Sequence, residues 1–311
     1  MTGVPTSARP VATTPGAPVG VYAAAALALG LWSGTAIVNK IAVGHMDAMT
    51  AGVLRSMLAG GIAVIIAVAC RFPLPRETGL RVLLLLSGVT SFALWPMLLS
   101  LGLGRTSASH TALIMALLPV LTGLIAAAFD QRWPRVLWWA GVTIAVCGTA
   151  FLIFYRSGGG LLTETGNIVG DLIVLSGVGI CAFGYVAGGK VSPAIGTWAT
   201  TFWGLAAAMI VLVPAFALLA DRTDWSAVAP MGWLAIAYLT SASSIVGYAA
   251  WFWALGRGGI ARIGSWQLAM PVMTLALAAI VLGEAITWPL ALSAAAIVLG
   301  TTIAQWRAKG D

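Results

Sequence analysis

Charge is what this 311-residue chain has least of: charged residues make up 8% of it, against about 25% in an ordinary soluble domain. A polar shell around a soluble core cannot be assembled from that supply, which excludes a water-soluble globule. Acids are scarcest, nine Asp and Glu against sixteen Lys and Arg. The two histidines stand apart, and the three cysteines, Cys70, Cys147 and Cys181, show no CxxC or Cys/His spacing. That excludes a zinc site or a disulfide framework, and the cysteines read as small core residues. No HExxH or GxSxG is present, so the chain lacks the motifs of an intramembrane enzyme, and it shows no signature of a bound cofactor. A net charge of +7 would suggest nucleic acid in a soluble protein. Here the basic residues lie mostly between apolar runs, where they orient a membrane protein, so no nucleic-acid partner is expected. With no sizeable soluble domain, no obligate protein partner is evident either.

What the chain has is hydrocarbon, 60% of its residues. Residues 1–18 hold Pro5, Pro10, Pro15 and Pro18 with one charge, Arg9, and read as a flexible tail. From Val19 onward ten apolar runs follow, near 19–39, 48–69, 80–101, 107–129, 134–154, 168–189, 195–219, 232–254, 260–282 and 286–305. Each approaches the ~20 residues that cross a bilayer core as a helix. The longest internal connection, 156–167, carries Gly158, Gly159 and Gly160 and reads as a linker between halves 19–155 and 168–306; residues 307–311 form a second tail. With the N-terminus cytoplasmic, eleven basic residues, among them Arg71, Arg76, Arg81, Lys190 and Arg257, fall on inner segments. Four fall outside, Lys40, Arg105, Arg156 and Arg222, and Arg55 lies within a run. This bias predicts both termini inside.

The chain also repeats itself. Leu103-Gly104-Arg105 precedes Pro119 and Thr122 by the spacing with which Leu255-Gly256-Arg257 precedes Pro271 and Thr274, and Gly34 with Lys40 recurs as Gly184 with Lys190. Five helices per half is an odd number, so the second copy enters from the opposite side. The expected fold is therefore an all-α membrane protein of ten transmembrane helices, arranged as two five-helix inverted-topology repeats. Carriers use that symmetry to expose one midplane site alternately to each side.

Ten runs in two halves, Leu-Gly-Arg followed by a mid-helix proline in each, and Gly283-Glu284 ahead of the last run resemble the EamA-type transporters of the drug/metabolite transporter superfamily, over about residues 19–305. Within it the chain looks most like the bacterial aromatic amino acid exporters. The resemblance implies outward carriage of amino acids, other metabolites or drugs across the inner membrane. The first half departs from the pattern, with Asp130-Gln131 where a Gly-Glu pair is often found.

Polar and aromatic residues deep in the runs are the candidates for a substrate site. Trp32, Thr35 and Asn39 share one helix face, as do Ser91 with Trp95 and Ser244 with Tyr248 and Trp251. Tyr185, Trp266 and Gln267 join them. Helix–helix packing is the alternative for each. Pro119 and Pro271 kink their helices, and either shape the bundle or free carbonyls toward a cavity. Trp133, Trp138, Trp198, Trp225, Trp233, Trp288 and Trp306 fall near run ends and read as interfacial belts. An aromatic site of this kind suits an amphipathic ligand with a flat apolar part.

Among ionisable groups, Arg55 lies roughly 10 Å deep at 1.5 Å per residue. It either meets a substrate carboxylate or snorkels to a backbone partner. His110 is a candidate proton carrier or a helix-end hydrogen-bond partner. Asp171 and Glu284 read as capping or orienting helix ends. With no carboxylate near mid-bilayer, uniport is supported at least as well as proton antiport. The expectation is an exporter of aromatic or large neutral amino acids or related metabolites. Drugs, or phosphorylated and nucleotide sugars, are the rival cargoes, the sugars wanting more deep basic residues than Arg55 alone supplies.

Overall fold

The computed structural model describes residues 19–131, 135–155, 162–163, 166–258 and 265–305. The expectations for the tails, for Gly158–Gly160, and for Trp133, Arg156 and Trp306 fall outside these residues. Among those described, eight helices are long and apolar enough to cross a membrane. They are α1 (Val19–His45), α2 (Ala48–Ala69), α3 (Thr78–Leu103), α4 (Ala108–Asp130), α5 (Val136–Phe154), α6 (Ile168–Ile195), α7 (Thr197–Arg222) and α8 (Pro230–Trp251, its last turns reaching Gly258). Two shorter apolar helices follow, α9 (Met270–Leu282) and α10 (Trp288–Gln305). A two-residue hairpin, Leu162–Thr163 against Gly166–Asn167, precedes α6.

These segments are helical because almost nothing in them competes. Leu, Ala, Val and Ile dominate, and hydroxyl side chains return their hydrogen bonds to the preceding turn, as Thr149 does to Ala145 and Thr301 to Ile297. With the backbone groups between its ends satisfied within the helix, such a rod can stand in hydrocarbon. Its outward side is apolar and bare: Ile65, Val68, Ile210, Leu218 and Ile280 are exposed, which water would penalise and acyl chains do not. The protein is thus a multi-pass helical membrane protein.

Small residues set the closest approaches. Helices α5 and α10 pack along much of their length, and a Cβ on Gly300 would stand 2.5 Å from the Ala145 amide and 2.6 Å from the Gly141 carbonyl oxygen. Only glycine permits that contact. Helix α6 lies against α3 and α4, while α1 lies against α8 and α9.

Irregularities recur at the repeat spacing. Helix α3 widens to a π-helical stretch at Val89–Leu94, and α8 does so at Tyr238–Val246. Helix α4 loosens after Met115 and restarts at Leu118, with Pro119 in its new first turn. Likewise a 3₁₀ turn at Ser265–Ala269 gives way to α9 with Pro271 in its first turn. Both prolines therefore begin a helical segment, where a missing N–H does least harm. Helix α4 ends on Gln131 at φ 52°, and α9 on Gly283 at φ 67°. These left-handed caps pair Gln131 with Gly283, one residue away from the register in which Asp130-Gln131 stands opposite Gly283-Glu284.

Candidate functional site

Where α1 meets α8, aromatic rings gather around Trp32. The Trp32 ring lies 5.2 Å from that of Tyr248, edge to face, and 5.5 Å from that of Trp251; Phe92, from the π-helical part of α3, meets Tyr248 at 5.8 Å. Local structure positions the indole. Its Nε1 donates to the Ser243 carbonyl oxygen at 3.0 Å, within the π-helical stretch of α8, and one turn on Thr35 and Ser243 share a hydroxyl hydrogen bond of 2.8 Å. A π-helical turn widens the backbone and shifts its hydrogen bonds, so such stretches often mark functional sites. Gly247 completes the seat, since a Cβ there would stand 2.7 Å from Trp32 Nε1.

Two polar features adjoin these rings. Tyr185, on α6, is 40% exposed, and its hydroxyl lies beside the Tyr248 hydroxyl and the Cys181 thiol. From α2 comes Arg55, 6% exposed and within electrostatic reach of Tyr248. Its Nε and Nη1 have no hydrogen-bond partner, while its backbone oxygen accepts from Thr240 of α8 at 3.2 Å. A guanidinium so buried is costly unless something meets it. The arrangement offers flat apolar walls, phenolic hydroxyls and one uncompensated positive charge.

The remaining sequence candidates are dispersed. Asn39 is fully buried; its Oδ1 accepts from Ser100 at 3.0 Å and its Nδ2 is unpartnered. Trp95 packs its ring on Gly177 of α6, and Ser91 reaches the Cys181 carbonyl at 3.5 Å, so both hold α3 to α6. Ser244 returns its hydroxyl to Leu239. Trp266 stacks on Tyr22 with 5.5 Å between rings, and Gln267 beside it is half-buried, both toward the end of the bundle where α1 begins. Thr35 joins the aromatic site as its helix face suggested, and Phe92 and Ser243 complete it without having been singled out as site residues. Phe92 was invisible because a phenylalanine in an apolar run carries no periodic signal.

His110 belongs to a second cluster, at the end of the bundle marked by Lys40. Its Nδ1 lies 3.0 Å from Asp171, which is fully buried and also accepts from the Thr106 hydroxyl. Lys40 donates to the carbonyl oxygens of Leu103 at 2.6 Å and Thr106 at 2.7 Å, finishing the C-terminus of α3 as a cation should. Glu284, just past α9, accepts from the amides of Ala108 at 2.8 Å and Ser109 at 2.9 Å, capping the N-terminus of α4. Helices α1, α3, α4, α6 and α9 are thereby tied together. At the other end Lys190 pairs with Asp130, both well exposed. No cluster suited to a metal ion occurs among the described residues.

The sequence profile of the EamA-like transporter family matches this chain twice, over residues 19–154 and 168–305. The chain is 28% identical over 285 residues to the uncharacterized transporter YdeK of Bacillus subtilis, covering 90% of this chain and 94% of that one. It is 27% identical over 199 residues to the uncharacterized inner membrane transporter YedA of Escherichia coli K12, covering 61% of this chain and 62% of that one. A crystal structure of a protein with 19% identity superimposes with a TM-score of 0.61, over 91% of this chain and 96% of the other, and shares the fold.

Proposed function

Since the chain belongs to the EamA-like transporter family, we propose that it is an inner-membrane carrier that exports aromatic or large neutral amino acids, or related carboxylate metabolites, by alternating access. The observation that carries this reading is the buried Arg55, whose Nε and Nη1 have no hydrogen-bond partner, within electrostatic reach of Tyr248 in the Trp32–Tyr248–Trp251 ring cluster. Rings stack against a flat apolar side chain, and the guanidinium takes the carboxylate. Sugar phosphates fit less well, because no second buried cation stands beside Arg55 among the described residues.

The matched π-helical stretches, proline restarts and left-handed caps support ten spans in two inverted halves, 19–155 and 168–306, with both termini cytoplasmic. In that topology the Lys40 end is external and closed, and Lys190 with Asp130 is its counterpart at the cytoplasmic end. Exchange of the two ends would carry the site from one side to the other. The His110–Asp171 contact favours a second reading, in which proton uptake at the external end accompanies transport.

Uptake of labelled phenylalanine into proteoliposomes, with and without a pH gradient, tests both. Equilibrative uptake that falls at least tenfold in Trp251→Ala and Tyr248→Ala supports the carrier with its aromatic site. Accumulation only under a pH gradient selects the coupled form. Flux that neither substitution alters overturns the site.

A further inference from the structure

The aromatic site has a positive charge and no negative one. Every described carboxylate lies at a helix end or in a connecting segment: Asp171 and Glu284 are engaged at the Lys40 end, and Asp130 with Lys190 at the other. Arg55, 6% exposed with two nitrogens unpartnered, therefore has no counter-ion among the described residues. Resting on the carrier reading above, we infer that the preferred cargo is an aromatic monocarboxylate without a charged amine, and that Arg55 is the specificity-determining residue that receives its carboxylate.

Charge balance away from bulk water sets this preference. A carboxylate entering the site neutralises Arg55 and satisfies its idle donors. An ammonium entering the same space meets a like charge. At an effective dielectric of about 20, a separation of about 6 Å weakens binding on the order of a hundredfold. Stacking on Trp32 and Trp251 returns part of that by cation–π attraction. A zwitterion gains at one end and loses at the other, so it falls between the two. Binding should thus rank monoanion, zwitterion, cation, with about tenfold between neighbours. Net export of a monoanion also moves one negative charge outward. An inside-negative potential favours this by about fiftyfold per 100 mV, which drives export without a proton relay.

Three probes share a phenyl ring on a two-carbon chain and differ in charge: 3-phenylpropanoate, phenylalanine and phenethylamine. Their binding to the purified full-length protein can be followed by quenching of tryptophan fluorescence. Binding is preferred to flux because the uncharged forms of the acid and the amine cross lipid unaided. Phenylpropanoate is expected to bind at least tenfold more tightly than phenylalanine, and phenethylamine most weakly. Arg55→Lys should keep that order. Arg55→Gln, shown by its melting curve to be folded, should lose at least tenfold for the acid and nothing for the amine. Equal or tighter binding of phenylalanine or the amine, or an acid affinity unchanged in Arg55→Gln, overturns the inference. So does failure of all three to bind folded wild-type protein. If phenylalanine is nonetheless exchanged across proteoliposomes and phenylpropanoate does not compete, the carrier reading stands and only the charge preference falls.

Discussion

Replacing Glu284 by Ala should open the Lys40 end. The carboxylate accepts from two first-turn amides of α4 at 2.8 and 2.9 Å while standing on the segment after α9. It is therefore both a helix cap and a tie between helices far apart in sequence. Water can replace most of each hydrogen bond once the end opens, so the net contribution to closure is that of a good N-cap, about 1–2 kcal/mol. That corresponds to a shift of about 5–30-fold in the balance between closed and open forms. The readout is the labelling rate of Ser100→Cys by a membrane-impermeant thiol reagent, with Cys70, Cys147 and Cys181 removed. Ser100 is fully buried and bonded to Asn39, so its labelling reports opening and not surface exposure. Labelling should quicken about 5–30-fold in Glu284→Ala with little change in melting temperature. An unchanged rate, or a rise matched by general unfolding, refutes the closure argument.

Other consequences are more local. Arg55→Met should raise stability by about 1–3 kcal/mol in chemical or thermal melts while weakening binding of the proposed cargo, because it removes a buried charge with two unpartnered nitrogens. Gly247→Ala places a methyl 2.7 Å from Trp32 Nε1, so it should break the indole's bond to Ser243, shift tryptophan emission and lower flux severalfold. Gly300→Leu should part α5 from α10 and destabilise the protein by about 2–3 kcal/mol, read from melting curves. Gln131→Gly should gain up to about 1 kcal/mol by relieving a left-handed cap.

The helices were legible because ~20-residue apolar runs leave the backbone no alternative in lipid. The face shared by Tyr248 and Trp251 led toward the site, since helical spacing places such residues together. Arg55 was conspicuous as a lone charge in a run, although its lack of a partner is a three-dimensional fact. Spacing could not tell Trp95, seated on Gly177, from Trp32, seated by Gly247, because which face meets a glycine depends on the neighbouring helix. Asp171 and His110, 61 residues apart, give no sign in the sequence that they touch. Glu284 was expected to serve a helix end; the end it serves is that of α4, across the bundle. The π-helical stretches left no trace either, since shifting a hydrogen bond by one residue alters no side-chain pattern.

In the proposed carrier, one aromatic site with Arg55 at its edge is exposed to the two membrane faces in turn. Counterflow tests it most directly: proteoliposomes are loaded with unlabelled phenylalanine, and entry of labelled phenylalanine is followed in wild type, Trp32→Ala and Arg55→Gln. Alternating access predicts that internal substrate accelerates entry and produces a transient overshoot, which both substitutions abolish. Entry that ignores internal substrate, or that persists unchanged in both variants, would contradict it.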